Sequence, residues 1–317
     1  MVVPVVYKST DYTVGWICAL PLERAAAEAM LDCKHGGSNS SQYTLGRIGD
    51  HNVVIACLPA GLTGTNAAAT VATKLMLQFT SIRFGLLVGI GGGVPSRESD
   101  IRLGDVVVSQ PRNGYGGVVQ YDFGKTRPGE FETTGFLNTP PIVLLDALSK
   151  IQADHLSGNS KFSQYLQRAN HQLGVMPNDT KTDKLFESSY EHVEGSACGD
   201  CNDEQLVHRK PRNQEIVIHY GTVASGNQVI RDGITRDKLS SKLGGILCFE
   251  MEAAGLMNSF PCLVIRGICD YADSHKNKTW QPFAASAAAS YAREVLAAVY
   301  AAQPPMARIV DDTTKTV

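Results

Sequence analysis

"LLVGIGGGVPS", residues 86–96, is the stretch on which the fold turns, because its apolar residues pass straight into glycines. A strand followed by glycines invites a dinucleotide-binding reading, but that fingerprint needs a third glycine three residues after the second, where a helix opens. Gly89 and Gly91 supply the first half; Val94 stands at the third position and Pro95 follows it. The run is therefore predicted as a strand leading into a bend whose backbone lies close against a small ligand, with Gly89, Ile90 and Gly91 as its lining. The plainer reading is a tight bend that only fills space.

Outward from this stretch, short apolar runs alternate with helical patterns. "YTVGWICAL" (12–20) reads as a strand and "PLERAAAEAML" (21–31) as a helix, with Pro21 in the first turn where a missing N–H does no harm. "QYTLGRIG" (42–49) and "NVVIACLP" (52–59) read as strands joined by a hairpin-like turn, residues 66–79 as a helix, "DVVVSQ" (105–110) as a strand and 141–152 as a helix. Residues 154–214 carry little periodicity and read as an excursion with at most short helices. The alternation resumes with strands in "EIVIHYGTVAS" (215–225) and "GGILCFE" (244–250), a helix in "EAAGLMNSF" (252–260), a strand in "CLVIRGICD" (262–270) and a long closing helix from 282 to 302. Strands interleaved with crossover helices predict an α/β sheet sandwich. One domain is expected over 1–302, with the insert at about 154–214 and a flexible tail at 303–317.

The 317 residues are 43% hydrophobic and 19% charged, with a formal net charge of -2. That balance gives no electrostatic case for nucleic acid, and a small-molecule partner is expected. No run reaches the length needed to span a bilayer, and the N-terminus lacks the pattern of a signal peptide. The eight cysteines are scattered, most within apolar runs, as in a reducing compartment. A cytoplasmic protein without membrane contact is expected.

Ligands of α/β sheets gather where strands end. Glu250 and Glu252, in "LCFEMEAAGL" (247–256), and Asp270, in "RGICDYADS" (266–274), all stand at or just past such ends. A buried carboxylate without a partner costs several kcal/mol, so something polar is expected to meet them. "TVASGNQVIRDG" (222–233) ends a strand in Ser225, Gly226 and Asn227, which permit close approach and offer amide contacts. Taken singly, Ser-Gly-Asn is also an ordinary turn, and Asp270 also reads as a cap.

Taken together, "AGLTGTNAAAT" (60–70), "LLVGIGGGV" (86–94), "GDVVVS" (104–109), "ASGNQVI" (224–230), "FEMEAAGL" (249–256) and "RGICDYAD" (266–273) resemble the purine/uridine phosphorylase superfamily, over residues 12–302. The wording looks most like the fungal branch, whose domains often stand at the front of larger immune-type receptors, and its site pattern is similar to that of the methylthioadenosine/adenosylhomocysteine nucleosidases. The resemblance implies a three-layer α/β/α sandwich with a central mixed twisted sheet. It implies a purine ribonucleoside as substrate, no cofactor and no metal, and a homo-oligomer in which a neighbour reaches over the sugar near "QYDFGK" (120–125). It gives Glu252 the ribose hydroxyls, Met251 the underside of the sugar, and Asp270 a place near N7 of the purine. Glu250 is expected on the same side as Glu252. Cys269 replaces a usual serine, which puts the support of that hydroxyl in doubt.

The superfamily attacks the sugar either with phosphate or with water. Phosphate needs fixed positive charge, yet Leu87 and Ile90 occupy the positions of a phosphate-binding arginine and serine. Glu23 aligns with the glutamate that activates water in the nucleosidases; its plainer reading is a first-turn acid favoured by the helix dipole. Arg24, one residue on, keeps phosphorolysis open. The expected activity is a purine nucleosidase, with Asp270 as general acid and Glu23 as base. The rivals are a phosphorylase and a non-catalytic nucleoside-sensing module. Val229 and Phe249 are candidates for the base pocket, and Trp280 for the aromatic closing the far end of the site, or else for packing at a helix entry. His192, Cys198, Cys201 and His208 offer four zinc ligands at irregular spacing, against which stands an ordinary loop.

Overall fold

β1 (Val14–Cys18) is buried at all five positions, as a strand covered on both faces must be. The computed structural model describes residues 7–36, 42–175, 183–195 and 198–300; the predicted tail at 303–317 lies outside them. β1 pairs in parallel with β4 (His51–Cys57) and, on its other side, with β5 (Phe84–Gly93). Past β4 come β3 (Tyr43–Ile48) and β2 (Cys33–Lys34), each antiparallel to its neighbour. Past β5 come β13 (Cys262–Asp270), parallel to it, then β6 (Val106–Ser109), antiparallel, and β10 (Ile218–Gly221). The sheet is mixed, as expected.

Side chains alternate along β1, so its two faces feed two cores. Val14, Trp16 and Cys18 pack with α1 (Pro21–Ala29), α3 (Ile142–Leu156), α4 (Phe162–Leu173) and the alanine-rich α6 (Gln281–Ala298). Ile17 faces the other core, with α2 (Thr65–Gln78) and the turns at 253–260. These are the three layers of the predicted sandwich. A smaller third core lies where α5 (Gly233–Lys242) packs on the short strands β7 (Val118–Gln120), β11 (Val223–Ser225) and β12 (Cys248–Glu250).

The sheet divides along β5. Its first half pairs with β1 as far as Leu87, and its last residues pair antiparallel with β12, at Phe249↔Gly92 and Cys248↔Gly93. Between these pairings the edge of β5 at Ile90 and Gly91 faces the mouth of a cleft, at the kind of switch point where α/β sheets hold ligands. The glycines predicted as a bend are thus strand, and they are needed because side chains cross over them. A Cβ on Gly89 would stand 2.4 Å from Glu23 Oε1, and one on Gly92 would stand 2.8 Å from Asp270 Oδ1.

Three further expectations change. Residues 252–260 do not form a helix beyond the 3-10 turn Ala253–Gly255. The segment runs as successive turns, with Leu256 N bonded to the Ala253 carbonyl and Ser259 N to the Leu256 carbonyl, both at 2.9 Å, and Gly255 lies against the backbone of Thr65. The insert contains the twelve-residue α4, whose amphipathic pattern rests on only two buried residues, Phe162 and Ala169. Buried Glu294 of α6 fixes the start of that helix by accepting from Lys161 N at 2.7 Å and Ser160 Oγ at 3.2 Å. The hairpin of β8 (Gly124–Arg127) and β9 (Glu130–Thr133), β2, β7 and α5 were not predicted, being short or lacking an apolar period.

A helix comes close to the sheet at Gly267 in β13, where a Cβ would meet the Ala284 carbonyl oxygen at 1.9 Å. Neither backbone can yield without moving a whole element. Gly267→Ala should therefore lower stability by about 3 kcal/mol or more in urea unfolding, at the upper end of overpacking penalties.

Candidate active site

The cleft beside β5 is lined by Leu20, Glu23, Thr63, Ile90, Gly91 and Gly92 on one side, and by Gln228, Val229, Phe249, Glu250, Met251 and Glu252 on the other. Arg266, Cys269, Lys276 and Gln281 complete it. Most of the predicted site residues are therefore brought together from four distant segments.

Glu23 arrives first. Pro21 opens α1, so Glu23 is its third residue and turns back over the helix start. Its Oε2 accepts the N–H groups of Ala19 at 2.7 Å and Leu20 at 2.9 Å, and Oε1 accepts Ile90 N at 2.8 Å from the edge of β5. Burial pushes its carboxyl up from the ordinary value of 4.5, against the pull of Arg266 and these three donors. Arg24, about 100° further round the helix, turns out of the cleft: Nε pairs with Glu28 Oε1 at 3.0 Å and Nη2 donates to Thr44 at 2.8 Å.

Glu250 and Glu252 both face the cleft, as positions two apart do on a strand, although the chain leaves its strand geometry at Glu252 (φ -115, ψ -36). Their tasks differ. Glu250 is fully engaged: it accepts Glu252 N and Ala253 N at 3.0 Å and Arg266 Nη2 at 2.5 Å. Glu252 accepts Gly64 N at 3.2 Å, lies 3.4 Å from Arg266 Nη2, and keeps acceptor capacity for a ligand. Burial, together with the charges of Glu250 and Glu23 and against that of Arg266, pushes its carboxyl up to about 7.

Arg266 is the residue that the sequence reading passed over. It is 1% exposed on β13, and although burial disfavours its charge, Glu250, Glu252 and Glu23 hold the guanidinium firmly protonated. A charged residue in the middle of "CLVIRGICD" was the available signal. The cluster carries three carboxylates to one guanidinium, so with all groups ionised it holds an excess of negative charge at the cleft floor.

Asp270 reaches the cleft differently from expectation. A β-bulge between Ile268 and Asp270 in the pairing with β5 re-aims the chain, and Ala272 follows at φ 51, in the left-handed region unusual for alanine. The buried carboxylate lies behind the lining: Oδ1 accepts Ala272 N at 2.9 Å, while Oδ2 meets Lys276 Nζ at 3.0 Å and Cys269 Sγ at 3.1 Å. Burial and the charge of Asp270 push the Cys269 thiol well up, so it stays protonated and donates as the missing serine would. Lys276, which the sequence reading did not single out, stands between Asp270 and the cleft.

Val229 and Phe249 line the cleft as expected. Asn227 does not: Oδ1 accepts from Thr65 N at 3.0 Å and its own N–H donates to Asp122 at 2.7 Å, which fixes the loop that presents Gly64 to Glu252. Gly89 is buried beneath Glu23 and Arg266. Trp280 lies away from the cleft, edge-on to Phe283 at the entry of α6, where the missing side chain of Gly104 admits its ring, and it lines a separate cavity with Arg102 and Leu103. His208 is exposed.

Two stability changes test this electrostatic arrangement. Arg266→Met leaves buried carboxylates uncompensated and should cost about 3–5 kcal/mol. Glu252 is the reverse case. Its folded value lies above the ordinary 4.5, so its contribution is favourable below that pH and is lost as pH rises through about 7. Neutral Glu252→Gln should therefore gain on the wild type between pH 5 and 8, by up to about 3 kcal/mol. Urea unfolding at both pH values measures it.

The profile of the phosphorylase superfamily matches residues 13–302. The chain is 47% identical over 297 residues to a nucleotide-binding leucine-rich repeat (NLR)-like protein of Hyaloscypha variabilis, which covers 90% of this chain but only 29% of that protein. It is 27% identical over 290 residues to a 5'-methylthioadenosine/S-adenosylhomocysteine nucleosidase of Mycobacterium bovis, covering 90% of this chain and 95% of the relative. An ATP nucleosidase of Escherichia coli is 25% identical over 291 residues, covering 86% of this chain and 48% of the relative. Among solved structures, the adenine complex of the methylthioadenosine/adenosylhomocysteine nucleosidase from Colwellia psychrerythraea superposes with TM-score 0.60 at 18% identity, over 93% of this chain and 98% of that one. No helix among the described residues is long and apolar enough to cross a membrane. With the profile spanning nearly the whole chain and the sheet mixed as the motifs led one to expect, the chain belongs to the phosphorylase superfamily.

Proposed function

We propose that the protein hydrolyses the N-glycosidic bond of a purine ribonucleoside, releasing the base and ribose. The observation that carries the reading is the position of Glu23. The backbone N–H groups of Ala19, Leu20 and Ile90 converge as an anion cradle would, and they are filled by the protein's own carboxylate. Arg266 is committed to Glu250, and Arg24 pairs with Glu28 outside the cleft. Phosphate would meet negative charge where it needs positive; water meets a base.

Breaking the bond builds positive charge on the sugar and negative charge on the purine, as in glycoside hydrolysis. Glu252 accepts the ribose hydroxyls, with Met251 beneath the ring, and the excess charge of the carboxylate cluster favours the cationic sugar over the neutral substrate. Glu23 takes the proton from the attacking water. At the other end the Lys276 ammonium, which lines the cleft in front of Asp270, places positive charge where the base becomes negative, and Asp270 serves as general acid toward N7 after taking up a proton from the cleft. Phe249 and Val229 border the purine.

Among the similar proteins, one acts on 5'-methylthioadenosine and S-adenosylhomocysteine and another on ATP. The substrate panel therefore spans adenosine, inosine and guanosine as well as 5'-thio and 5'-triphosphate adenosines. The reading includes cytoplasmic action and a homo-oligomer, supported by the exposed Phe123 and Phe136, which border one hollow beside the "QYDFGK" segment; sedimentation measures the latter.

Base release is expected to be independent of added phosphate, with ribose as the sugar product; ribose 1-phosphate would establish the phosphorylase instead. Absence of turnover across the panel, with nucleoside binding intact, would establish a sensing module. Glu23→Ala and Asp270→Asn should each lower kcat by about 10²- to 10⁴-fold with binding retained. Glu23 and Glu252 must both be ionised and both are pushed upward, so kcat/KM should rise with pH through a region above the ordinary carboxylate value of 4.5, toward about 7.

A further inference from the structure

Outside the cleft, the insert and the loop after β13 bring four metal-ligating side chains to one place. His192, Cys201 and His275 have ligand atoms all within 4.8 Å of one another. Cys198, three residues before Cys201, adds a second thiol on the same imidazole: His192 Nδ1 lies 3.2 Å from Cys201 Sγ and 3.9 Å from Cys198 Sγ. A tetrahedral ion with bonds of about 2.3 Å to sulfur and about 2.0 Å to nitrogen keeps its ligand atoms roughly 3.3–3.8 Å apart. The two distances from His192 Nδ1 to sulfur bracket that range; His275 joins His192 and Cys201 within 4.8 Å, and Cys198 stands just outside that group of three. All eight cysteines, these two included, are free thiols rather than a disulfide.

A second observation points the same way. His275 is 8% exposed, and neither of its ring nitrogens has a hydrogen-bond partner. Its nearest charged neighbour, Asp273 Oδ1, stands 3.6 Å from Nδ1, beyond bonding distance. Buried polar atoms are almost always satisfied, and an orphaned imidazole calls for a further partner such as an ion. The ring is nonetheless held in place, stacked on Phe186 at 4.2 Å and near Tyr190 at 5.6 Å between centroids. His192 is oriented in the manner of a ligand: Nε2 lies 3.2 Å from the Gly195 carbonyl oxygen, which leaves Nδ1 toward the thiols.

We propose that His192, Cys198, Cys201 and His275 form a tetrahedral zinc site that fastens the insert to the loop following β13. Two thiolates and two imidazoles are the ligand set of closed structural zinc sites. The ligands come from both sides of the junction, three from the insert and one from "DYADSHK", so the ion cross-links segments more than seventy residues apart in sequence. The same seam is tied by polar contacts: His192 N donates to Ser274 Oγ at 2.9 Å, and Arg209 Nη1 donates to Tyr271 Oη at 2.8 Å. His208, offered by the sequence spacing, is replaced by His275, which no local motif connects to the Cys-x-x-Cys pair. His275 directly precedes Lys276 of the cleft, but the zinc site holds whether or not the glycosidic reading does.

The test is metal content by mass spectrometry of the full chain purified under reducing conditions from zinc-supplemented culture. One zinc per chain is expected in the wild type and in His208→Asn, with most of it lost in Cys201→Ser and His275→Asn. Because the latter two variants can fail to fold, the wild type is also stripped with a chelator and titrated with Co²⁺; a tetrahedral site with two thiolates gives visible d–d absorption and a thiolate-to-cobalt charge-transfer band. A wild type with no bound zinc and no such cobalt spectrum overturns the proposal. So does zinc that survives in both Cys201→Ser and His275→Asn, or that disappears in His208→Asn.

Discussion

The site depends on one buried guanidinium. Arg266 projects from the middle of β13, almost wholly out of water, and its hydrogen bond to Glu250 makes it possible to hold Glu252 and Glu23 in the same region. A lone buried charge is prohibitive, whereas one paired with an opposite charge is tolerable. Glu250 uses both oxygens, on Arg266 and on two backbone N–H groups. With Glu250 matched, the charges of Glu23 and Glu252 remain in excess. That excess is costly for the empty protein and useful to a reaction whose sugar becomes cationic.

Topology provides the place for this arrangement. β5 outruns β1 and passes to β12 as partner, and the exposed stretch of its edge puts Ile90 N within reach of Glu23. The glycines of β5 make the crossing possible, since any side chain at Gly89 would occupy the space of the Glu23 carboxylate. On the neighbouring strand, the bulge before Asp270 and the left-handed Ala272 set another carboxylate just behind the lining of the same cleft, against Lys276. Local irregularities in an otherwise regular sheet are concentrated where the chemistry is, in keeping with strain being retained at functional sites.

Much of this was legible in the chain, and the failures have identifiable causes. β13 was predicted with its observed ends because nine residues of strand-like character stand between turn signals. A helix is expected at 252–260 because alanine and glutamate favour helix in isolation, while here the backbone of Gly255 must meet that of Thr65 and the segment closes in short turns. Trp280 was assigned to the site by alignment with an aromatic; the packing of its ring over Gly104 is a contact between remote segments that no local pattern records. Arg266 and Lys276 were overlooked for a related reason, since their roles exist only through partners on other elements.

Periodicity and turn chemistry were sufficient to determine the alternation of strands and helices, and the motifs identified which acids matter, because both are properties of neighbouring residues. Tertiary structure alone decided what each acid does: Glu250 tied to a guanidinium, Glu252 left with capacity for a ligand, Glu23 seated in a backbone cradle, and Asp270 screened by an ammonium. It also decided which histidine completes the cluster with Cys198 and Cys201. Charge state and ligand geometry depend on distances of a few ångströms between groups far apart in the chain, and those distances come into being only when the sheet closes.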